Sequence, residues 1–480
     1  MGTEGIQESY KLSPMQHGML YHSIDADGSG VYCIHVTYSL RGPVQPSAFK
    51  QAWQNVVDRH AALRTSFHWK DVPEPYQAVH SRVDVPFEYL DWSALEASEQ
   101  ELRLTALIES GARRGFELDR PPLIRLSLIR TGDEAFQLVL SHHHLLLDGW
   151  CKPILFDEVF AFYRAAVAST NVPELPEPQS YRRYIDWLSE QDLSTAERFW
   201  RKELAGISGA TPVLPHAPSG EPAAPDYDEL GVELDRAATV ELREYARSKR
   251  LTLNTLVLGT WGLVLGVNCG QNDIVFGATV NGRPADLSGA DAMIGLFINT
   301  LPVRIQLPAD GLLTNWLAKL QIGQARARDY DFTPLPLIQK WTAMPGGQRL
   351  FDSIVVFENN PGFGCERERH EDIEIADVRA TIRNSLPLTL RCVPGPKLGL
   401  QLLYDGRRFA RSAIDTLAEQ VLASLTSLPV DEDARIGDKL RELELVASRC
   451  ENARALAFQS AVRGRLRSAR SARTAKVLGG

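Results

Sequence analysis

The sequence predicts an α/β fold in two lobes. Three observations carry that expectation. The chain has 480 residues, more than one compact core usually holds. Runs of strand and helix character follow one another in both halves. Between the halves lies 170–180 (TNVPELPEPQS), with three prolines and little apolar content, which reads as an extended linker. The expected organisation is a first lobe over 1–180, a second over 181–440, and a tail from 441 to 480.

Composition narrows the function classes. With 44% hydrophobic and 23% charged residues, the chain has the make-up of a soluble globular protein. A net charge of −8 argues against a global nucleic-acid footprint. Cys33, Cys151, Cys269, Cys365, Cys392 and Cys450 are scattered, with no paired spacing. They read as reduced thiols in a cytoplasmic protein. No run of 18 apolar residues exists and the N-terminus has no signal-peptide pattern, so no membrane is expected.

The elements follow in order. Residues 1–9 read as flexible. Ser13-Pro14 is a helix start, with Met15, Met19 and Leu20 along one face. Residues 48–63 have helical periodicity through Phe49, Trp53, Val56 and Val57. Arg59 and Arg64 close that run, where cations complement the helix dipole. Residues 136–140 (Phe-Gln-Leu-Val-Leu) read as a buried strand. Pro153 then suits a first helical turn, followed by Ile154, Leu155, Val159, Phe160, Phe162 and Tyr163 at helical spacing. A helix opens at 181–188 and a loop covers 216–225. Residues 251–267 read as apolar core of the second lobe. Strands are expected at 273–277, 351–357 and 400–404.

Between the strand at 136–140 and its helix stands Ser-His-His-His-Leu-Leu-Leu-Asp-Gly-Trp, residues 141–150. Three adjacent imidazoles are costly to bury without partners. Along a strand His142 and His144 face one side and His143 the other. Three readings compete: hydrogen-bonded core histidines, a metal site, and a general base near neutral pH held by the carboxylate four residues on. A metal site wants further ligands, and neighbouring strand residues point apart.

His143-His144-Leu-Leu-Leu-Asp148-Gly149 resembles the HHxxxDG motif of nonribosomal peptide synthetase condensation domains. Other stretches resemble further motifs of that family, in order. They are Leu12-Ser-Pro-Met-Gln16 with Gly18-Met-Leu20, Arg59-His60 through Phe67, and Tyr181 through Leu188. Thr279-Val-Asn-Gly282-Arg283-Pro284 and Ile294 through Thr300 follow, then Arg383-Asn384-Ser385 through Leu390. The likeness runs from about residue 10 to about 428. The first motif is similar to the subtype accepting a donor that ends in a D-residue.

The resemblance implies two chloramphenicol-acetyltransferase-like lobes in a V-shaped pseudo-dimer with a central tunnel. It implies an acyltransferase of natural product biosynthesis. An amine attacks a carrier-bound thioester, and an amide bond forms. Donor and acceptor peptidyl carrier proteins would present their phosphopantetheine arms, with other synthetase domains as neighbours. The domain itself would bind no cofactor and no metal, and would be monomeric in isolation. His144 would carry the chemistry as a general base or by orienting the amine. The backbone N–H of Gly149 is a candidate oxyanion donor, since glycine permits close approach. Asp148 and His143 would hold the loop, and Arg64 would brace it. Arg283 would pair with Asp148, or else serve as a turn-stabilising surface residue. Trp150, Asn299 and Ser385 are substrate-channel candidates. An epimerisation domain shares the histidine motif, and a non-catalytic recruitment platform is a further alternative. Trp150 after Gly149 favours condensation over epimerisation, and the complete His144/Asp148 set argues against the platform.

The tail differs in kind. From Arg449 to Gly480 eight Lys/Arg face one acid, Glu451, with Ala, Ser and Gly between them. That composition reads as a mobile connector. Nucleic-acid binding lacks interleaved aromatics beyond Phe458.

Overall fold

The structure is a computed structural model. It describes residues 5–25, 30–207, 209–214, 227–344, 348–358, 368–370, 372–383, 385–430 and 434–478, without the side chains of 368–370, 457–458 and 460–478. Cys365, Asn384, the side chain of Phe458 and the loop expected over 216–225 lie outside these residues.

Two six-stranded mixed sheets and a small three-stranded sheet organise the chain. In the first large sheet Ala135–His143 lies between Cys33–Arg41 and Ile124–Arg130, antiparallel to both. Its helix, Cys151–Ala168, packs on Pro46–Arg59. Phe49, Trp53, Val56, Phe156 and Phe160 fill the space between them. The second large sheet runs Asn299–Gln306, Asp273–Val280, Ser353–Phe357, Leu388–Val393, Gly399–Tyr404 and Asp228–Glu233. Its core helix is Leu253–Cys269, buried over most of its length and started by the Thr252 hydroxyl, which accepts from the Thr255 N–H. The 170–180 stretch carries no regular structure, as its prolines predict. No single helix among the described residues is long and apolar enough to cross a membrane.

Three expectations change. First, the lobes are not successive segments. Ile373–Ile382, from the second half, extends the first large sheet by pairing with Cys33–Arg41, and Glu368–His370 pairs with Ile373–Ile382 at the edge. A boundary near 180 misses this return, because pairing partners some 340 residues apart leave no local signature. Second, the helix expected over 48–63 stops at Arg59. His60 is extended (φ −99°, ψ 113°), and a single 3₁₀ turn, Ala61–Arg64, follows. Third, 441–480 is not an irregular linker in its described part. One helix runs from Ile436 to Leu478. Ile436, Leu443 and Val446 are buried, and Gln420 donates from its amide to the Leu443 carbonyl. These apolar positions fall on one helical face. Further along, Arg454 donates to the Ser412 carbonyl and to the Thr416 hydroxyl (2.8 Å).

Candidate active site

The site begins where Ala135–His143 ends. Pleating sends the rings of the triplet to opposite sides. His143 turns to the back. Its Nδ1 accepts from the Leu145 N–H (3.2 Å), so Nε2 carries the proton and donates to the Ser23 hydroxyl (3.2 Å). Burial pushes the His143 imidazole down to about 3, which keeps it neutral. His142 is fully buried on the front, its ring centroid 6.5 Å from that of His144.

His144 lines an inner cavity of about 180 Å³ together with His142, Asp148, Gly149 and Trp150. Its Nδ1 lies 3.0 Å from the Leu147 carbonyl. A carbonyl only accepts, so Nδ1 carries the proton and Nε2 keeps the lone pair. Burial lowers the pKa, only partly opposed by the Leu147 bond and by Asp148. The backbone N–H of His144 donates to the carbonyl of Tyr32 (2.8 Å), a residue held at φ +60°.

Asp148 is buried and fully engaged. One oxygen accepts from the Trp150 N–H (3.0 Å) and from Arg283 (3.4 Å); the other accepts from the Phe297 N–H (2.9 Å). Arg283 is buried too. It donates to the carbonyls of Ala290 and Met293 (3.0 Å), and its guanidinium lies 4.2 Å from the Phe297 ring centroid. The 281–298 loop thus clamps the histidine loop from below, and Asp148 donates its own N–H to the Gly295 carbonyl (3.3 Å).

The inner cavity widens outward into a mouth of about 680 Å³. The two share Met15, Met19, Tyr32, Thr300, Ser385 and Leu386. Of the channel candidates, Trp150 lines the inner cavity, Asn299 the mouth and Ser385 both. Asn299 spends its amide on the carbonyls of Asp331 (2.7 Å) and Thr333 (2.8 Å). The Ser385 hydroxyl bonds Tyr32 (2.8 Å).

Arg64 departs from expectation. It donates to the His80 carbonyl and to Gln7 (3.2 Å), so it ties its 3₁₀ turn to the small sheet. The chain turns at His60 before Arg64 can reach the histidine loop. The brace comes instead from Gln16, whose amide donates to the Leu145 carbonyl (3.0 Å) and to Gln77 (3.3 Å). Lys152, Glu358 and Arg391 also line the inner cavity, and sequence reasoning misses all three. Gln16 stands inside the first of the family-like motifs, so its place there is the one available signal. No group of three or more metal-ligating side chains occurs among the described residues.

A neutral imidazole with a free lone pair, set in a cavity at the meeting of two α/β halves, is the equipment of an acyl-transfer enzyme. Comparison with known proteins makes this specific. The Condensation domain family model matches residues 6–441. The chain is 42% identical over 434 residues to one component of the linear gramicidin synthase of Brevibacillus parabrevis, covering 90% of this chain and 8% of that protein. It is 31% identical over 451 residues to surfactin synthase subunit 3 of Bacillus subtilis (strain 168), covering 92% and 35%. The chain therefore spans a small part of the curated relatives it matches. Among solved structures, a variant of the starter condensation domain of rhizomide synthetase superposes with a TM-score of 0.77 at 17% identity, over 89% of this chain and 96% of that one. The first condensation domain of the calcium-dependent antibiotic synthetase gives 0.76 at 16%, over 90% and 99%. The chain belongs to the condensation-domain family of nonribosomal peptide synthetases, whose members form peptide bonds by acyl transfer.

Proposed function

We propose that this domain joins an amine to a carrier-bound peptidyl or acyl thioester, with His144 at the reacting centre. The observation that carries the reading is the His144 tautomer. Nδ1 is committed to the Leu147 carbonyl, which leaves Nε2 to accept a proton. The amine nitrogen bonds the thioester carbon and the carbon–sulfur bond breaks. The amine's proton passes to Nε2 and then to the departing thiolate. The Gly149 N–H serves the developing oxyanion. Asp148, Arg283 and His143 position the loop rather than touch substrate, and holding both reactants in one cavity adds to the rate.

Donor and acceptor carrier proteins are the partners this reaction needs, each bringing a phosphopantetheine arm. The domain binds no cofactor of its own. It works as a monomeric unit between neighbouring synthetase domains in the cytoplasm, without nucleic acid or membrane. The first motif, Leu12 through Leu20, favours a donor ending in a D-residue.

The test is intact-protein mass spectrometry of both carriers after mixing with the domain. Acyl mass should leave the donor and appear on the acceptor. His144→Ala should slow that transfer by roughly 10²-fold, while a folded His143→Ala retains more activity. The reverse order would remove His144 from the reacting centre. A donor that is racemised with no acceptor present would mean epimerisation instead.

A further inference from the structure

Tyr32 holds a backbone conformation that a side chain disfavours. It stands just before Cys33–Arg41 with φ +60°, in the left-handed region. Glycine would take that conformation without the steric penalty a Cβ brings. The Tyr32 backbone is engaged on both sides. Its N–H donates to the Arg383 carbonyl (2.8 Å), and its carbonyl accepts from the His144 N–H (2.8 Å). The next residue, Cys33, pairs with His143 at the end of the strand. The backbone of His144 is therefore hung directly on Tyr32.

The side chain supplies what glycine would lack. The residues common to the inner cavity and the mouth form the neck between them, and Tyr32, Thr300 and Ser385 are its hydroxyl-bearing members. In that neck the Tyr32 and Ser385 hydroxyls share a hydrogen bond (2.8 Å). Ser385 is anchored in turn, its carbonyl accepting from Arg349 (3.3 Å). Burial raises the Tyr32 phenol, so it stays protonated at neutral pH. Tyr32 belongs to the first half of the chain, whereas Arg349, Arg383 and Ser385 belong to the second. The tyrosine is thus a strut by which the second half fixes the first-half backbone that carries His144.

We propose that Tyr32 is a positioning residue for amide formation: clasped to Ser385 at the neck, it sets the aim of the His144 ring through the His144 backbone. The proposal rests on the reading of the domain as a condensation enzyme. Tyr32 exchanges no proton with substrate and acts only through His144. A left-handed side-chain-bearing residue persists where its surroundings over-determine it. Here its N–H, its carbonyl and its hydroxyl are each bonded. Without the hydroxyl bond the ring can swing in the neck, and the backbone turns with it. His144 Nε2 then leaves the line of the attacking amine, and misplacement by about 1 Å can cost up to roughly 10²-fold in rate.

The test reads His144 directly. In protein isotope-labelled only at histidine, the His144 backbone amide is the resonance that His144→Ala removes. Tyr32→Phe and Ser385→Ala each break the clasp from one side. Both should shift that resonance, and both should cut amide formation at saturating carriers by roughly three- to tenfold, the span of one hydrogen bond. The carrier concentrations for half-saturation should stay within about twofold of wild type, because the clasp acts on His144 and not on binding. The double variant should lose no more than either single one, since both changes break the same bond. An unmoved amide resonance, unchanged turnover at saturation, or multiplied losses in the double variant would overturn the proposal. So would a raised half-saturation with turnover intact, which would make the two hydroxyls a binding contact. A lowered urea midpoint with resonance and turnover both unmoved would leave the clasp merely structural. If Tyr32→Phe does not fold, Ser385→Ala decides alone on the same readouts. The amide resonance needs no turnover, so absent amide formation in the wild type would strike the condensation reading separately.

Discussion

At the scale of single residues, His144 and Asp148 stand four positions apart and use their polar atoms differently. Asp148 has its oxygens taken by Trp150, Arg283 and Phe297, whereas His144 commits one nitrogen and keeps the other. The pH profile follows from the sign of the His144 shift. On the proposed mechanism the neutral ring is the active form, and burial lowers its pKa. The acid limb of the amide-forming rate should therefore lie below the ordinary histidine range, about pH 6.5. A limb at or above that value would contradict it. Asp148→Ala leaves Arg283 buried without its carboxylate, which should cost about 3–5 kcal/mol in thermal or urea unfolding. The double variant with Arg283→Met should recover part of that loss, and additive losses would show that the pair does not couple. The alternation of His142, His143 and His144 was legible, because side-chain direction follows from pleating alone. The place of Gln16 was not, since it reaches 129 residues along the chain to Leu145.

Among the elements, the helix Ile436–Leu478 separates composition from periodicity. A count of cations makes its outer part a connector, but such a count ignores where the apolar residues fall. Ile436, Leu443 and Val446 lie on one buried face, so the element starts as part of the second lobe. Two truncations should differ sharply. Removing 449–480 sacrifices the Arg454 bonds to Ser412 and Thr416 and should cost about 1–2 kcal/mol. Removing 436–480 strips three buried apolar side chains and should cost about 5 kcal/mol or more. Urea titration of both proteins checks this, and equal losses would mean that the buried turns contribute little. The strand before the histidine loop and the helix after it were legible, the one as a short apolar run and the other from apolar residues at helical spacing.

For the molecule as a whole, the halves are sewn together rather than laid side by side. Ile373–Ile382 completes the first large sheet, and Ile294 and Leu296 enter its hydrophobic core. Residues 1–180 expressed alone would expose the edge of Cys33–Arg41, an open template for other chains. That fragment should aggregate or lack dispersed amide resonances. A well-ordered monomer would show that the returning strand is dispensable. The two-part α/β class was legible from length and patterning. The pairing across halves was not, because it depends on contacts between segments that share no local signal.

That returning strand also sets a timetable for biosynthesis. A ribosome at about 5–20 residues per second needs roughly 10–40 s to travel from the end of the first half to the strand that seals it. Throughout that interval the emerging chain holds the histidine loop on a sheet whose border is unguarded. The first large sheet closes only when sequence still being translated has left the exit tunnel.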